Sequence, residues 1–449
     1  MSEKSRDGFS SRLGIVAAAA GSAIGLGNIW KFPYVAGMNG GAAFILIYLL
    51  FIILVGMPTM LSAFIIGRSS QKNVVGAFKR LSPRTPWFLF GIISVFGAFL
   101  LLSFYSVVAG WTVEYTFLAL KNSFSGLSTE ALQQLFADFV SSPWRSILWQ
   151  GIFISLTCWI VYFGIKEGIE KYSKVLMPVL FVFILVLVFR GVTLKGAEKG
   201  ISFLLEPNFD LLNKKMMLSA LGQAFFSLSL GLGTMVIYGS YIKKDVNLQQ
   251  TTLQISIADT LIALLSGLAI FPAVFAFGIN PSEGANLIFI ALPTVFQQIF
   301  GGYVFGLLFF ILLAIAALTS AISILEVLVS YLVEEHRVER KRATIILSLA
   351  TFLVGIPCAL SSSVFADITI MDKNLFDVLD FIVTHLIMPI GSMAILIYTG
   401  WFLDKKILEE EFTAYGRYSK KFFILYLFLA KIFAPAAVFI VFIHGLGMI

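Results

Sequence analysis

Asn28 and Lys31 lie in the fifteen residues "AGSAIGLGNIWKFPY", Ala20–Tyr34, together with Gly21, Gly25, Gly27 and Pro33. The surrounding stretch is apolar enough to be a membrane helix. Glycine weakens a helix interior by roughly 1 kcal/mol relative to alanine, and an unwound backbone at membrane depth persists only where protein or a cavity covers it. A break there bares main-chain groups: carbonyls suit a dehydrated cation, and helix N-termini suit an anion. A second stretch, "FFSLSLGLGTMVIYGSY" (Phe225–Tyr241), sets Gly231 and Gly233 among serines in another apolar run. Gly21 and Gly25 also form GxxxG, a helix-packing pattern. The matching second break, with Asn28 and Lys31 at depth, favours a binding site. "GSAIGLG" is no dinucleotide fingerprint, because no strand precedes it and the glycine spacing is wrong.

The elements that must position these residues are long apolar blocks. The 449 residues are 59% hydrophobic and 13% charged, with a mean hydropathy of +0.93, whereas soluble domains are about 45–50% apolar and about 25% charged. Eleven spans are expected: 13–38, 42–67, 88–120, 146–164, 173–190, 215–241, 252–279, 301–333, 343–360, 376–403 and 422–445. This is an all-α polytopic membrane protein in a lipid bilayer. The first span has no cleavage-site pattern and is expected to be retained. Lys and Arg number 22 on the side of the N-terminus and 8 on the other, which predicts a cytoplasmic N-terminus and, with an odd span count, an extracytoplasmic C-terminus in the cell's inner (plasma) membrane. The formal charge of +7 is largely this topological signal. No soluble basic module exists to suggest nucleic acid.

The two breaks fall five spans apart, so the helices carrying them enter the membrane from opposite sides. Paired interrupted helices point to an inverted repeat with a site between its halves. The expected single domain, 1–449, divides into a first repeat (13–190), a second repeat (215–403) and an extra helix (422–445). Cys158 and Cys358 sit in apolar runs and suggest no disulfide framework. His336, His385 and His444 share no ligand spacing, so a catalytic metal has no support, and no paired-Asp or Ser–His motif suggests an enzyme. A channel would need a continuous polar pore. A non-transporting sensor would be favoured by loss of an ion ligand. Both remain alternatives to a transporter.

"RLGIVAAAAGSAIGLGNIWKFPY" (Arg12–Tyr34), "GQAFFSLSLGLG" (Gly222–Gly233) and "ALTSAISILE" (Ala317–Glu326) resemble the neurotransmitter:sodium symporters, in their bacterial amino-acid branch. The resemblance extends over nearly the whole chain and implies two sodium ions. The first would be held by the Ala23 carbonyl and the side chains of Asn28, Ser227 and Asp259, with the substrate carboxylate. The second would take the carbonyls of Gly21, Ile24 and Ala316 and the hydroxyls of Thr319 and Ser320. All-oxygen sets suit a hard monovalent cation. The resemblance places an amino-acid substrate between them. The N–H groups of Leu26 and Gly27 and the Tyr105 hydroxyl would hold its carboxylate. The Ala23, Phe226 and Ser227 carbonyls and the Ser229 hydroxyl would hold its ammonium. Leu101, Tyr105, Phe226, Leu232, Ser320 and Ile324 would line the side-chain pocket.

Monoamine members of that family carry aspartate at the position of Gly25, so glycine implies a substrate that brings its own carboxylate. Leu232 stands where a leucine-transporting member has phenylalanine. With Leu101 it suggests a sizeable apolar or aromatic side chain. Animal members mostly have asparagine at the position of Asp259 and use chloride, so a fixed carboxylate there implies chloride-independent transport, with proton carriage on the return step as a further expectation. Lys31 and Asp380 match the outer gate pair, with lysine in place of the usual arginine. Arg6 and Glu334 match the inner pair, beside Ser240 and Tyr241, and Phe9 stands where tryptophan is usual. Gly168 and Pro178 match a glycine–x9–proline feature that unwinds in the family to admit water to the second sodium. The implied cycle is alternating access.

Overall fold

The structure, a computed structural model, describes residues 8–278 and 287–448. It is an all-helical membrane protein. Among the described residues nine helices are long and apolar enough to cross a bilayer: Ala42–Ser70, Phe88–Leu120, Pro143–Tyr162, Ile165–Val192, Leu248–Ala276, Gly302–His336, Arg340–Ala359, Leu375–Phe402 and Phe423–Gly445. They are spans two to five and seven to eleven. A tenth, span one, is the pair Arg12–Ala23 and Gly27–Met38, bent by 53° at its break. Span six is also divided, into Lys214–Ser227 and Thr234–Ser240. Neither half is long enough to cross alone, so the count of eleven depends on taking them together. Span five begins at Ile165, earlier than the sequence suggests, because Gly164 at φ 85° makes the turn that starts it.

The helices begin and bend where their residues dictate. Ser11, Asn213, Asn247 and Asn374 cap spans one, six, seven and ten, each side-chain oxygen accepting a first-turn N–H, which satisfies a donor the helix cannot. Five wide turns with i→i+5 bonding, Gly27–Lys31, Ile52–Gly56, Leu287–Ala291, Ile382–Ile387 and Leu429–Phe433, each end two residues before a proline: Pro33, Pro58, Pro293, Pro389 and Pro435. Proline lacks an N–H and its ring presses on the preceding turn. Widening that turn keeps the helix continuous at membrane depth. Short helices outside the apolar runs, among them Val74–Leu81, Thr129–Ser141 and Lys405–Thr413, go unanticipated because they lack the length and hydropathy of a crossing.

Spans three and eight are the longest helices, at 33 and 35 residues. At 1.5 Å per residue, span eight extends about 50 Å against a hydrocarbon core of about 30 Å, so it tilts and protrudes. The broken spans one and six lie against this frame. The second half of span six meets span two backbone to backbone. A Cβ at Gly67 would come 2.0 Å from the Val236 carbonyl oxygen, and one at Gly239 would come 2.8 Å from the Phe64 main chain. Small residues admit such close approach.

Gly67→Ala is therefore expected to force spans two and six apart, at a cost of about 1–3 kcal/mol or more. A thermal melt of the detergent-solubilised protein should fall by several degrees. An unchanged melting temperature would contradict the backbone contact.

Candidate functional site

The break in span one leaves the carbonyls of Gly21, Ser22, Ala23 and Ile24 without helical partners, as at any helix C-terminus. The Ile24 N–H still bonds the Ala20 carbonyl at 2.7 Å, but Ile24 itself is extended, with ψ 97°. Helical bonding resumes when the Asn28 N–H reaches the Gly25 carbonyl at 3.1 Å. In span six the break follows Ser227. Ser229 (φ 50°), Gly231 (φ 87°) and Gly233 (φ 83°) carry the chain through left-handed backbone. A Cβ at Gly231 would lie 2.1 Å from the Met388 carbonyl oxygen, so only glycine fits there.

Span eight brings two hydroxyls to the bared carbonyls. Ser320 Oγ stands 3.4 Å from the Gly21 oxygen, 3.2 Å from that of Ser22 and 3.5 Å from that of Ile24. Thr319 Oγ1 lies 3.5 Å from the Ile24 oxygen and 3.0 Å from the Ala316 oxygen within its own helix. Ser229 Oγ donates to the Ser22 carbonyl at 3.0 Å. Each hydroxyl has one proton to donate. The oxygens therefore outnumber the protons in a buried, apolar setting, an arrangement suited to a dehydrated cation. Gly21, Ile24, Ala316, Thr319 and Ser320 are thus gathered at one point. Gly21 also packs tightly, since a Cβ there would lie 3.2 Å from Met177 Sδ and 3.3 Å from Thr319, so the packing reading of its glycine holds as well.

A second cluster joins spans one, two, six and seven. Asn28 Nδ2 donates to Asp259 Oδ1 at 2.7 Å and lies 3.1 Å from both the Asp259 carbonyl and Ser227 Oγ. Ser227 Oγ donates to Asp259 Oδ2 at 2.6 Å. All four side chains of the cluster are buried. Its fourth member, Tyr48, went unnoticed in the sequence. Its hydroxyl lies 3.2 Å from Ser227 Oγ and 3.4 Å from Asp259 Oδ2. The available signal was a lone hydroxyl in the apolar run "AAFILIYLLFIILVG". Asn28 presents its amide nitrogen to Asp259 and its Oδ1 to the Gly25 N–H at 3.3 Å, so the ligating oxygen implied by the resemblance faces the other way. A half-turn of the amide exchanges the two. The buried Ala23 ends the first half of span one.

Between the clusters, Tyr105 Oη accepts the Leu26 N–H at 3.5 Å. A Cβ at Gly25 would fall 2.4 Å from Ser320 Oγ and 3.3 Å from Tyr105 Oη. The Phe226 ring packs on Gly27, where a Cβ would meet it at 2.8 Å. Leu101 and Tyr105 stand one turn apart on span three, as do Ser320 and Ile324 on span eight. Leu101, Leu232 and Ile324 are buried. Gln223, also absent from the sequence reading, donates to the Gly27 carbonyl at 3.2 Å.

The proposed gates fare differently. Lys31 forms no ion pair with Asp380. Its ammonium lies 3.8 Å above the Phe226 ring centroid instead, a cation–π contact that a compact lysine head makes readily. Glu334 accepts from the Asn73 N–H at 2.8 Å and its side-chain amide at 3.1 Å. Arg6 lies outside the described residues. Phe9 is buried edge-on against Tyr238 and Tyr241. The segment from Gly168 to Pro178 is wound, with Ile165–Glu170 in wide turns and Pro178 inside Lys171–Val192. Glu170 accepts from the Ser10 N–H and hydroxyl, both at 2.7 Å, and from Ser11 Oγ at 3.0 Å, and pairs with Lys174.

Two interrupted helices crossing at an oxygen-lined centre, held by long unbroken ones, define a secondary transporter rather than an enzyme. The sodium:neurotransmitter symporter family model matches residues 6–131 and 142–448, and the chain belongs to that family. It is 43% identical to the sodium-dependent transporter YhdH of Bacillus subtilis over the full length of both. It is 35% identical to a sodium-dependent transporter of Haemophilus influenzae over 99% of each. The crystal structure of MhsT in complex with L-phenylalanine superposes with a TM-score of 0.91 at 42% identity, covering 98% of this chain and 100% of that one. The chain is a multi-pass, sodium-dependent transporter with the fold that MhsT shares.

Tyr48→Phe removes one donor from the Asp259 cluster while leaving the ring in place. A net hydrogen bond is worth about 1 kcal/mol, so sodium affinity is expected to weaken about fivefold, read as the sodium concentration that half-saturates substrate binding. An unchanged value would separate Tyr48 from the ion site.

Proposed function

We propose that the chain imports an amino acid with an apolar or aromatic side chain, coupled to two sodium ions and independent of chloride. The observation that carries the reading is the pairing of Gly25 with Asp259. Gly25 puts no side chain between Ser320 and Tyr105, where even a Cβ would lie 2.4 Å from Ser320 Oγ, so the protein supplies no carboxylate of its own at that point. The Leu26 N–H, which meets only the Tyr105 hydroxyl at 3.5 Å, and the Gly27 N–H would take a substrate's own carboxylate as Ser320 and Tyr105 give way. Asp259 meanwhile supplies a fixed negative charge within reach of Ser227 and Asn28, the position at which an exchangeable anion would otherwise be needed. L-phenylalanine in MhsT favours an aromatic side chain against Leu101, Phe226, Leu232 and Ile324.

In this reading the first sodium takes the Ala23 carbonyl, Asn28 after its amide turns, Ser227, Asp259 and the substrate carboxylate. The second takes Gly21, Ile24, Ala316, Thr319 and Ser320. The substrate ammonium meets the Ala23, Phe226 and Ser227 carbonyls and Ser229. Binding draws the broken spans onto spans three and eight. Opening near Glu334, with unwinding between Gly168 and Pro178, releases ions and substrate to the cytoplasm, on the side of the N-terminus. One charge crossing 100 mV contributes about 2.3 kcal/mol. Two sodium ions with a net-neutral substrate therefore suffice for over a thousandfold accumulation.

Uptake of labelled phenylalanine into proteoliposomes tests this. Accumulation should vanish when choline replaces sodium and persist when gluconate replaces chloride. Asp259→Asn should lower sodium affinity at least about tenfold, the cost of one charge-assisted contact, with partial recovery in chloride. A chloride requirement in the unaltered protein would overturn the role of Asp259.

A further inference from the structure

A groove of about 580 Å³ runs between spans four and nine, away from the transport site. Its walls are Gly151, Ser155 and Cys158 on one side and Ser348, Leu349 and Phe352 on the other. At one point on its wall the Phe352 ring stands against Gly151, where a Cβ would lie 3.3 Å from it. Two features distinguish this groove from an ordinary lipid-facing seam. Ser348 is buried, and its hydroxyl has no hydrogen-bond partner. A buried donor left unpaired costs about 1–3 kcal/mol. Lys341, at the same end of span nine, is exposed and has no carboxylate partner among the described residues. Its ammonium lies 5.1 Å from the centroid of the Tyr162 ring, which also borders the groove. Trp159 and Phe163 flank that mouth, both half exposed. Aromatic rings of this kind mark the headgroup level of a bilayer.

We propose that this groove binds one anionic glycerophospholipid, its phosphate on Lys341 and one acyl chain between spans four and nine. Seven residues separate Lys341 from Ser348, about 10 Å along a helix. The ester carbonyls of such a lipid hang below its phosphate, on the side of Ser348. An ester carbonyl in the groove offers the Ser348 hydroxyl an acceptor once its side chain turns toward the lumen. The unpaired ammonium gains a phosphate. Ser155, exposed on the wall of the groove, leaves room beside it for an acyl chain.

Native mass spectrometry of the full chain in detergent, titrated with dioleoylphosphatidylglycerol or dioleoylphosphatidylcholine, tests the assignment. One tight phosphatidylglycerol adduct per chain is expected, with phosphatidylcholine held about fivefold more weakly, the contribution of one lysine near an anionic headgroup. Inorganic phosphate at the same concentration should not compete. Lys341→Gln should abolish the preference between the two lipids. Ser155→Trp, at an exposed position, should fill the groove and remove the adduct while sodium-dependent melting stays as in the parent. Equal binding of both lipids, or an unchanged adduct in Lys341→Gln or in correctly melting Ser155→Trp, would overturn the proposal. So would a lipid-independent dimer that Ser155→Trp disperses, since a second copy would then occupy the groove.

Discussion

Carbonyl oxygens bared in the middle of a membrane have no water to turn to, and the rest of this structure answers that constraint. The four carbonyls from Gly21 to Ile24 lose their helical donors at one depth. Ser320 and Ser229 are brought to them from spans eight and six, and Thr319 stands close by. The supply is deliberately short in a chemical sense, because one serine proton faces three carbonyls. A fully satisfied break would be a structural kink. An undersupplied one has affinity for a cation. The same geometry explains Gly25, since a side chain there would push Ser320 off the carbonyls it serves.

Such a break survives because its surroundings are rigid. Spans three and eight run uninterrupted past it, and the second half of span six is seated on span two through glycine. At the end of span two, Arg68 is wholly buried. Its Nε meets Glu411 Oε2 at 2.5 Å, and its other nitrogens donate to the Val246 carbonyl at 2.5 Å and the Glu411 carbonyl at 2.6 Å. Tyr415 donates to the remaining Glu411 oxygen at 3.0 Å. A buried pair with its lone pairs and protons satisfied fixes geometry, whereas one stripped of a partner costs several kcal/mol. This clamp ties span two to the loop after span six and to the helix Lys405–Thr413. The frame and its moving parts are therefore joined at defined points.

What the sequence disclosed follows from the range over which each signal acts. The breaks were legible because glycine clusters conflict with the local helical pattern within a few residues. Asp259 was legible because a carboxylate at that depth has few explanations. Tyr48 was hidden because one hydroxyl in an apolar run looks like packing until the fold sets it against Ser227. Gln223 was hidden for the same reason. The wide turns before five prolines needed the structure, since proline marks a disturbance without saying whether the helix ends or widens. The pairing of Lys31 with Phe226 rather than Asp380 is a choice between a ring and a carboxylate, and residue types alone do not decide it. The short helices outside the spans, such as Val74–Leu81, depend on caps like Asn73 more than on hydropathy.

The two ends of the site are held by contacts of unequal strength. Near Lys31 the closing contact is one ammonium over one ring, worth about 0.5–2 kcal/mol. At the opposite end, Glu170 accepts three hydrogen bonds from Ser10 and Ser11 and pairs with Lys174, while Tyr241 donates to Glu326 at 2.6 Å and Arg340 pairs with the same carboxylate. Charge-assisted bonds of this kind are roughly twice as strong as neutral ones, and here they act together. A Cβ at Gly14 would overlap the Glu170 carboxylate at 2.1 Å, so the first turn of span one is seated directly on it. Winding between Gly168 and Pro178 places Glu170 where it can accept those bonds. Among the described residues the Glu170 end is secured by several charge-assisted contacts, so span one can part from it only if this segment of span five changes as well.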